Sequence, residues 1–259
     1  MKNRTKINQT HMKKGIYILP NLFTTASLFC GFYSLIASLQ GDYSRAALSI
    51  IIAFFFDGLD GKIARFTNTT SKFGAEYDSL SDLVAFGLAP AILAYSWALS
   101  PFGRYGWLAA FLFVVCGALR LARFNVQIGI IESKVFNGLP IPGAAAVIAT
   151  TVMLFYYLGG EGTIDHVSVL FTIVALSLLM VSNIKYYSFK DLNVFSRKPF
   201  VTFVLIILIL IVIVLEPHVM FFTIAVTYSI SGPAWQVARL VKKVLHRDGE
   251  KEKYEHHEI

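Results

Sequence analysis

The chain has 259 residues, of which 56% are hydrophobic and only 15% are charged, and its formal net charge is +7. Soluble domains carry about a quarter charged residues, so this composition, with a mean hydropathy of +0.61, excludes an ordinary soluble protein. No soluble basic domain accompanies the positive charge, and we therefore expect no nucleic-acid partner. The two cysteines, Cys30 and Cys116, lie in apolar runs and form no metal or redox motif.

Apolar stretches long enough to cross a bilayer of about 30 Å recur along the chain. They predict an all-α, polytopic membrane helix bundle with about eight transmembrane helices. These spans cover approximately residues 16–39, 44–64, 77–99, 105–124, 141–159, 165–184, 199–215 and 218–240. The first is too long for a signal-peptide core and is expected to be retained. The predicted domains are an N-terminal tail at 1–15, a transmembrane domain at 16–240 and a charged tail at 241–259.

Basic residues indicate how this bundle is oriented. With the N-terminus in the cytoplasm, all but two of the 23 Lys and Arg residues fall on the cytoplasmic side, and the two exceptions are Arg45 and Arg104. Cytoplasmic loops carry such an excess of positive charge. We therefore predict a protein integral to the cytoplasmic membrane, in contact with membrane lipid, with both termini in the cytoplasm.

Four acids interrupt the second and third spans: Asp57, Asp60, Asp78 and Asp82. An acid near the middle of a membrane helix costs about 2.5–3.5 kcal/mol on insertion scales, so four of them require compensation. At about 100° per residue, Asp57 and Asp60 share one face of the second helix with Gly61 and Ala64. On the third helix, Asp78 and Asp82 share a face with Gly74, provided that the helix begins early enough to include this glycine.

The two acidic faces are predicted to meet. The chain turns between Arg65 and Gly74, and Asp57 and Asp82 each lie about 12 Å from this turn at 1.5 Å per residue. Carboxylates that converge at one depth repel each other unless cations separate them. Hard oxygen ligands favour Mg²⁺ or Mn²⁺, and a pair of such ions suits phosphoryl chemistry.

The pattern of these residues resembles the signature of a known family. The pattern Asp57-x-x-Asp60-Gly61-x-x-Ala64-Arg65, followed by Gly74, Asp78 and Asp82 at fixed spacing, resembles the signature of the CDP-alcohol phosphatidyltransferases at every defined position. The resemblance implies that an alcohol attacks the β-phosphate of a CDP-activated lipid and releases CMP. It also implies a homodimer.

The same resemblance implies roles for individual residues. Asp57, Asp60 and Asp78 would hold two metal ions, with Asp82 close to one of them and acting as general base. Gly61, Arg65 and Ser71 would line the site of the nucleotide and the diphosphate. The small residues Ala64 and Gly74 would let the ligand, or the neighbouring helix, approach the backbone. Asn21 and Thr24, one helical turn apart, could contact the nucleotide, and Asn21 could instead cap the first helix.

Further segments resemble the membrane-embedded class of phosphatidylserine synthases within this family, and they lie at 20–24, 28–32, 118–125, 136–140 and 180–185. They point to CDP-diacylglycerol and serine as substrates. Serine carries a carboxylate, which a cation near the cytoplasmic end of the fourth span could receive. The candidates are Arg120 and Arg123, with Asn125, Asn137, Asn183 and Lys185 as weaker ones.

Other functions remain open from the sequence. The same reaction with glycerol 3-phosphate, inositol or an ether CDP-lipid uses the same signature. A divalent-cation transporter would also carry acids within its spans, but these would be spread over several helices rather than confined to one helix pair. A purely structural membrane protein leaves the four acids unexplained.

Overall fold

The computed structural model describes residues 18–67, 71–127, 135–187 and 199–255, and this part of the chain is almost entirely helical. Its helices are α1 (Ile18–Leu39), α2 (Tyr43–Phe66), α3 (Lys72–Phe102), α4 (Arg104–Gln127), α5 (Ile141–Tyr157), α6 (Val167–Val181), α7 (Pro199–Leu215) and α8 (Pro217–Glu255). Two short strands, β1 (Val135–Asn137) and β2 (Lys185–Tyr187), lie between them.

Each predicted apolar span coincides with one of these helices, and the all-α class is confirmed. Three helices within the described ranges are long and apolar enough to cross a membrane, at Leu19–Leu39, Lys72–Phe102 and Arg104–Val126. Large apolar side chains such as Phe29 and Phe111 point outward and are 66% and 59% exposed. Contiguous apolar surface of this kind suits contact with lipid, as in an integral membrane protein.

Some boundaries differ from the predicted ones. The sixth span was predicted to continue to residue 184, but α6 ends at Val181, and the chain then forms β2. The eighth span was predicted to end at residue 240, but the backbone of α8 stays helical to Glu255, within the segment predicted as a charged tail. The predicted N-terminal tail at 1–15 lies outside the described residues.

Small side chains allow α1, α2 and α3 to pack closely, which positions the site. Ala46, Ala47 and Ala53 on α2 are fully buried. On α1, a Cβ at Gly31 would lie only 2.6 Å from the Cα atom of Ala85 on α3, so a side chain cannot be accommodated there. Small residues at such crossings are the usual means by which membrane helices approach each other.

Helix α3 contains two π-helical turns, at Leu83–Leu88 and at Tyr95–Leu99. Each lies shortly before a proline, Pro90 or Pro101. A proline donates no backbone hydrogen bond and its ring clashes with the carbonyl four residues earlier, and a widened turn accommodates that clash. The first π turn begins directly after Asp82, so it helps to set the direction in which this acid projects.

The strand pair connects the loops that precede α5 and follow α6. β1 and β2 are antiparallel, with Asn137 opposite Lys185. Gly138 has a φ of +81°, and its missing Cβ would clash with the carbonyl oxygen of Met180. Two segments that the sequence indicated separately, at 136–140 and 180–185, are therefore in direct contact.

The fully buried ring of Tyr186 attaches α8 to this strand pair. Its hydroxyl donates a hydrogen bond of 3.0 Å to the backbone oxygen of Ser229. A Cβ at Gly232 would lie about 2.5 Å from the Tyr186 ring, so glycine is required there for the close approach. Burial raises the pKa of Tyr186 to about 12.

Candidate active site

The acids predicted to converge do so. Asp57 and Asp60 on α2 and Asp78 on α3 each place a carboxylate oxygen within 4.8 Å of the others. Asp82 lies one turn beyond Asp78, and its carboxyl group interacts directly with that of Asp57. The early start of α3 at Lys72, on which the phasing of Gly74 depended, is also found.

Thr24 on α1 connects the three helices that surround the acids. Its hydroxyl donates a hydrogen bond of 2.7 Å to Asp60, while its backbone oxygen accepts one of 3.1 Å from the hydroxyl of Ser81 on α3. Thr24 is 3% exposed and Asp60 is 5% exposed. The orientation of the Asp60 carboxylate is therefore fixed by a partner on a different helix.

Two carboxylate oxygens in the cluster lack a protein donor. Oδ1 of Asp78 and Oδ1 of Asp82 are buried and have no hydrogen-bond partner among the described residues. Buried carboxylates without donors are costly, and four acids at one depth also repel each other. Divalent cations bound by oxygen ligands would remove both problems, so the residues present fit a metal site.

One cavity, the Arg65 cavity, opens between α1, α2 and α3 beside this cluster and has a volume of about 170 Å³. It contains all seven residues predicted to contact the CDP-lipid: Asn21, Thr24, Gly61, Ala64, Arg65, Ser71 and Gly74. Pro20, Ala75, Asp60 and Asp78 complete its lining. Metal-site carboxylates thus form one wall of a cavity that also offers a guanidinium.

The local geometry of the Arg65 cavity depends on two glycines. The guanidinium of Arg65 lies 3.7 Å from the position of a Cβ at Gly61, so it crosses the backbone of its own helix. Ser71 caps α3 by accepting a hydrogen bond of 3.0 Å from the backbone nitrogen of Gly74. Asn21 lies within α1 rather than at its start, so it contacts the cavity and does not cap this helix.

A second cavity, the Arg120 cavity, adjoins the acids on the other side and has a volume of about 240 Å³. Ala75 and Asp78 line both cavities, so the acidic cluster separates them. The remaining lining residues come from α3, α4 and the start of α5: Ser79, Asp82, Arg120, Leu121, Phe124, Asn125, Pro140 and Pro142.

Only some of the residues predicted to bind serine line the Arg120 cavity. Arg120 and Asn125 line the Arg120 cavity, and Arg120 is in electrostatic range of Asp82. Arg123 instead donates a hydrogen bond of 2.7 Å to Oδ1 of Asn183, and it is not among the residues that line this cavity. Lys185 lies in β2, also apart from the cavity lining.

Sequence reasoning missed Ser79, Pro140 and Pro142. Ser79 directly follows Asp78, and a polar residue beside a functional acid was a usable signal. Pro140 ends the indicated segment at 136–140 but offers no side-chain chemistry, so only the fold reveals it as cavity lining.

The comparisons with known proteins give the family of the chain. The sequence profile of the CDP-alcohol phosphatidyltransferase family matches residues 17–181. A CDP-diacylglycerol–serine O-phosphatidyltransferase of Helicobacter pylori is 39% identical over 218 residues, which cover 83% of this chain and 90% of the relative.

Two further relatives come from other organisms. An archaetidylserine synthase of Methanothermobacter thermautotrophicus is 40% identical over 170 residues, which cover 65% of this chain and 69% of the relative. A CDP-diacylglycerol–serine O-phosphatidyltransferase of Bacillus subtilis is 36% identical over 174 residues, which cover 66% of this chain and 91% of the relative. The names of all three relatives contain serine.

Proposed function

The chain belongs to the CDP-alcohol phosphatidyltransferase family, and we propose that it transfers the phosphatidyl group of CDP-diacylglycerol to the hydroxyl of L-serine. The products are phosphatidylserine and CMP. The observation that carries this proposal is the convergence of Asp57, Asp60 and Asp78 within 4.8 Å, between two cavities that could hold the two substrates.

Asp57, Asp60 and Asp78 would hold divalent cations, Mg²⁺ or Mn²⁺, and Asp82, one helical turn beyond Asp78, would contribute to a second ion. Such ions supply charge neutralisation at the diphosphate and at the leaving group when they are bound. The unpartnered Oδ1 atoms of Asp78 and Asp82 support this assignment, because a cation would satisfy them.

The residues of the chain would then orient and deprotonate the alcohol. The serine hydroxyl oxygen forms a bond to the β-phosphorus, and the bond from this phosphorus to the bridging oxygen breaks. CMP leaves with that oxygen and its electron pair, and the hydroxyl proton passes to Asp82. A carboxylate at hydrogen-bonding distance from the alcohol is suited to act as general base.

The Arg65 cavity is the proposed site of the cytidine diphosphate portion of the lipid. Arg65 offers charge-assisted hydrogen bonds to phosphate oxygens. Gly61 and Gly74 leave the backbone of α2 and α3 open to a ligand, and Asn21 and Thr24 border the cavity from α1. The acyl chains would extend from this cavity into the bilayer.

The Arg120 cavity is the proposed site of the acceptor alcohol. Arg120 is its cationic lining residue, while Asp78 and Asp82 are negative. One cation beside two acids suits a zwitterion better than the dianion of glycerol 3-phosphate. Inositol has no charge and offers no carboxylate to Arg120, so the lining favours serine over both alternatives.

We further propose that all eight helices span the membrane with both termini in the cytoplasm, which places the acidic cluster near the cytoplasmic face of the cell membrane. The distribution of Lys and Arg residues supports this orientation. Cysteine labelling of single introduced residues in the loops at 41 and 162, compared with residue 69, would test it.

The family resemblance also leads us to propose a homodimer, which a mass measurement in detergent would test.

An assay of CMP release tests the proposed reaction directly. Purified protein with CDP-diacylglycerol is supplied separately with L-serine, inositol or glycerol 3-phosphate, each with Mg²⁺, Mn²⁺ or a chelator. We expect release with serine and loss of release with the chelator. Release with inositol or glycerol 3-phosphate but not with serine would refute serine as the acceptor.

A further inference from the structure

Ser79 and Asn125 form a hydrogen-bonded pair between α3 and α4 at the edge of the Arg120 cavity. The side-chain nitrogen Nδ2 of Asn125 donates to Oγ of Ser79 at 2.9 Å. The Ser79 hydroxyl is 3.0 Å from the backbone oxygen of Ala75. Both side chains line the cavity together with Arg120.

The hydroxyl of Ser79 has only one proton to donate. The backbone oxygen of Ala75 is its nearer acceptor at 3.0 Å, whereas Oδ1 of Asn125 is 3.4 Å away. Ser79 therefore donates to Ala75 and accepts from Nδ2 of Asn125. This fixes which end of the Asn125 amide faces Ser79 and leaves Oδ1 able to accept a hydrogen bond from a ligand.

We infer that Ser79 holds Asn125 so that its Oδ1 atom receives the ammonium group of the acceptor, while Arg120 receives the carboxylate. Asn125 would then be a substrate-binding residue and Ser79 a positioning residue that acts through it. This inference rests on the proposed transfer to an amino acid. It adds that Asn125 and Arg120 each bind one of the two charged groups of the acceptor.

Charge in the cavity agrees with this division. Arg120 is the cationic side chain that lines this cavity, so it is the residue suited to bind the carboxylate. An ammonium needs acceptor oxygens, and the amide oxygen of Asn125 supplies one that is not engaged in metal binding. The cavity therefore distinguishes the two charged groups of an α-amino acid by position.

The test compares acceptors that each lack one charged group. L-Serine carries both groups, ethanolamine lacks the carboxylate, and 3-hydroxypropionate lacks the ammonium. For each we measure KM, or the inhibition constant against L-serine where no turnover occurs. Asn125→Leu should raise this KM or inhibition constant about tenfold or more for L-serine and ethanolamine, since a hydrogen bond to a charged group is lost. The value for 3-hydroxypropionate should not change.

Asn125→Asp keeps the shape of the side chain and provides a second measurement if the leucine variant fails to fold. It should leave binding of ethanolamine equal or tighter and weaken binding of 3-hydroxypropionate, because a negative charge replaces the amide. An equal loss for all three compounds in both variants would overturn the inference.

Ser79 is tested by a separation of kinetic constants. Ser79→Ala should raise KM for L-serine with kcat and KM for CDP-diacylglycerol unchanged, and Ser79→Thr, which keeps the hydroxyl, should restore it. A fall in kcat alone would contradict a positioning role. Ser231→Ala on α8, whose hydroxyl donates a hydrogen bond to the backbone oxygen of Tyr228 on the same helix, is the matched control.

The two proposals fail in different ways. If the wild-type protein releases CMP with inositol or glycerol 3-phosphate and not with L-serine, the proposed function is wrong. If it uses L-serine but Asn125 variants do not distinguish ethanolamine from 3-hydroxypropionate, the function stands and this inference is wrong.

Discussion

The hydroxyl of Thr24 donates a hydrogen bond of 2.7 Å to the carboxylate of Asp60, and it does so across the interface between α1 and α2. The same hydroxyl lies 3.2 Å from the backbone oxygen of Pro20, but the shorter contact is with the acid. One helix thus supplies the carboxylate and another fixes its orientation. Partners that orient a ligand in this way influence metal affinity although they do not touch the ion.

Thr24→Val should weaken metal activation, because valine keeps the shape of threonine and removes only the donor. We expect the Mg²⁺ or Mn²⁺ concentration for half-maximal activity to rise by about 10- to 100-fold. Titration of CMP release with each cation measures this. Thr25→Val is the control, since the Thr25 hydroxyl contacts Asn21 O and Tyr77 rather than an acid of the cluster. An unchanged cation requirement in Thr24→Val would refute the role.

Asp82→Asn should abolish turnover while the protein stays folded and still binds CDP-diacylglycerol. The amide cannot accept the proton of the attacking hydroxyl, and loss of a general base lowers kcat by about 10²- to 10⁴-fold. Single-turnover CMP release and lipid binding are measured in parallel. Asp42→Asn is a matched control, because Asp42 caps α2 and pairs with Arg45 away from the cluster. Near wild-type turnover in Asp82→Asn would exclude Asp82 as the base.

Ser71 is expected to serve both the helix and the ligand. Ser71→Ala removes the cap of α3 and should lower the free energy of unfolding by about 1 kcal/mol. Ser71→Asp restores a capping side chain and should recover Tm. It also places a negative charge in the Arg65 cavity, so KM for CDP-diacylglycerol should rise. A KM for the lipid equal to that of wild type in Ser71→Asp would show that Ser71 acts only as a cap.

Gly31→Ala should destabilise the bundle, because the new methyl group would meet the backbone of Ala85 at 2.6 Å. Overpacking of this kind costs about 1–3 kcal/mol. Since Ala85 belongs to the π turn directly after Asp82, activity should fall together with Tm. Gly58→Ala on α2 is the control, because the added Cβ would meet no neighbouring helix within 4 Å among the residues that the structure describes. Thermal unfolding in detergent that leaves the two variants equal would contradict the close packing.

The phasing of the acids followed from the sequence, and the structure agrees with it. A helical period of 3.6 residues determines which side chains share a face. The sequence alone therefore predicted that the face with Asp57 and Asp60 meets the face with Asp78 and Asp82. The residues assigned to the CDP-lipid, some by family resemblance and some by their helical position, likewise line one cavity. The apolar runs were sufficient to locate the helices, and most helix ends lie within a few residues of their predicted positions.

The π turns of α3, the attachment of Tyr186 to α8 and the separation of Arg123 from Arg120 did not follow from the sequence. Each depends on how one helix is rotated and displaced relative to another. That arrangement is decided by the small residues at the crossings and by the prolines, which act through contacts between residues distant in the chain.

The sequence by itself determined the chemistry of this protein: a membrane helix bundle, four acids on two facing helices, and the family to which they belong. Only the tertiary structure decided that these acids divide two cavities, that Thr24 orients Asp60 and that Ser79 holds Asn125. Helical periodicity fixes the neighbours within one helix. The depth and rotation at which helices meet depend on the packing of the whole bundle. The contacts proposed to select the substrate depend on that packing as well.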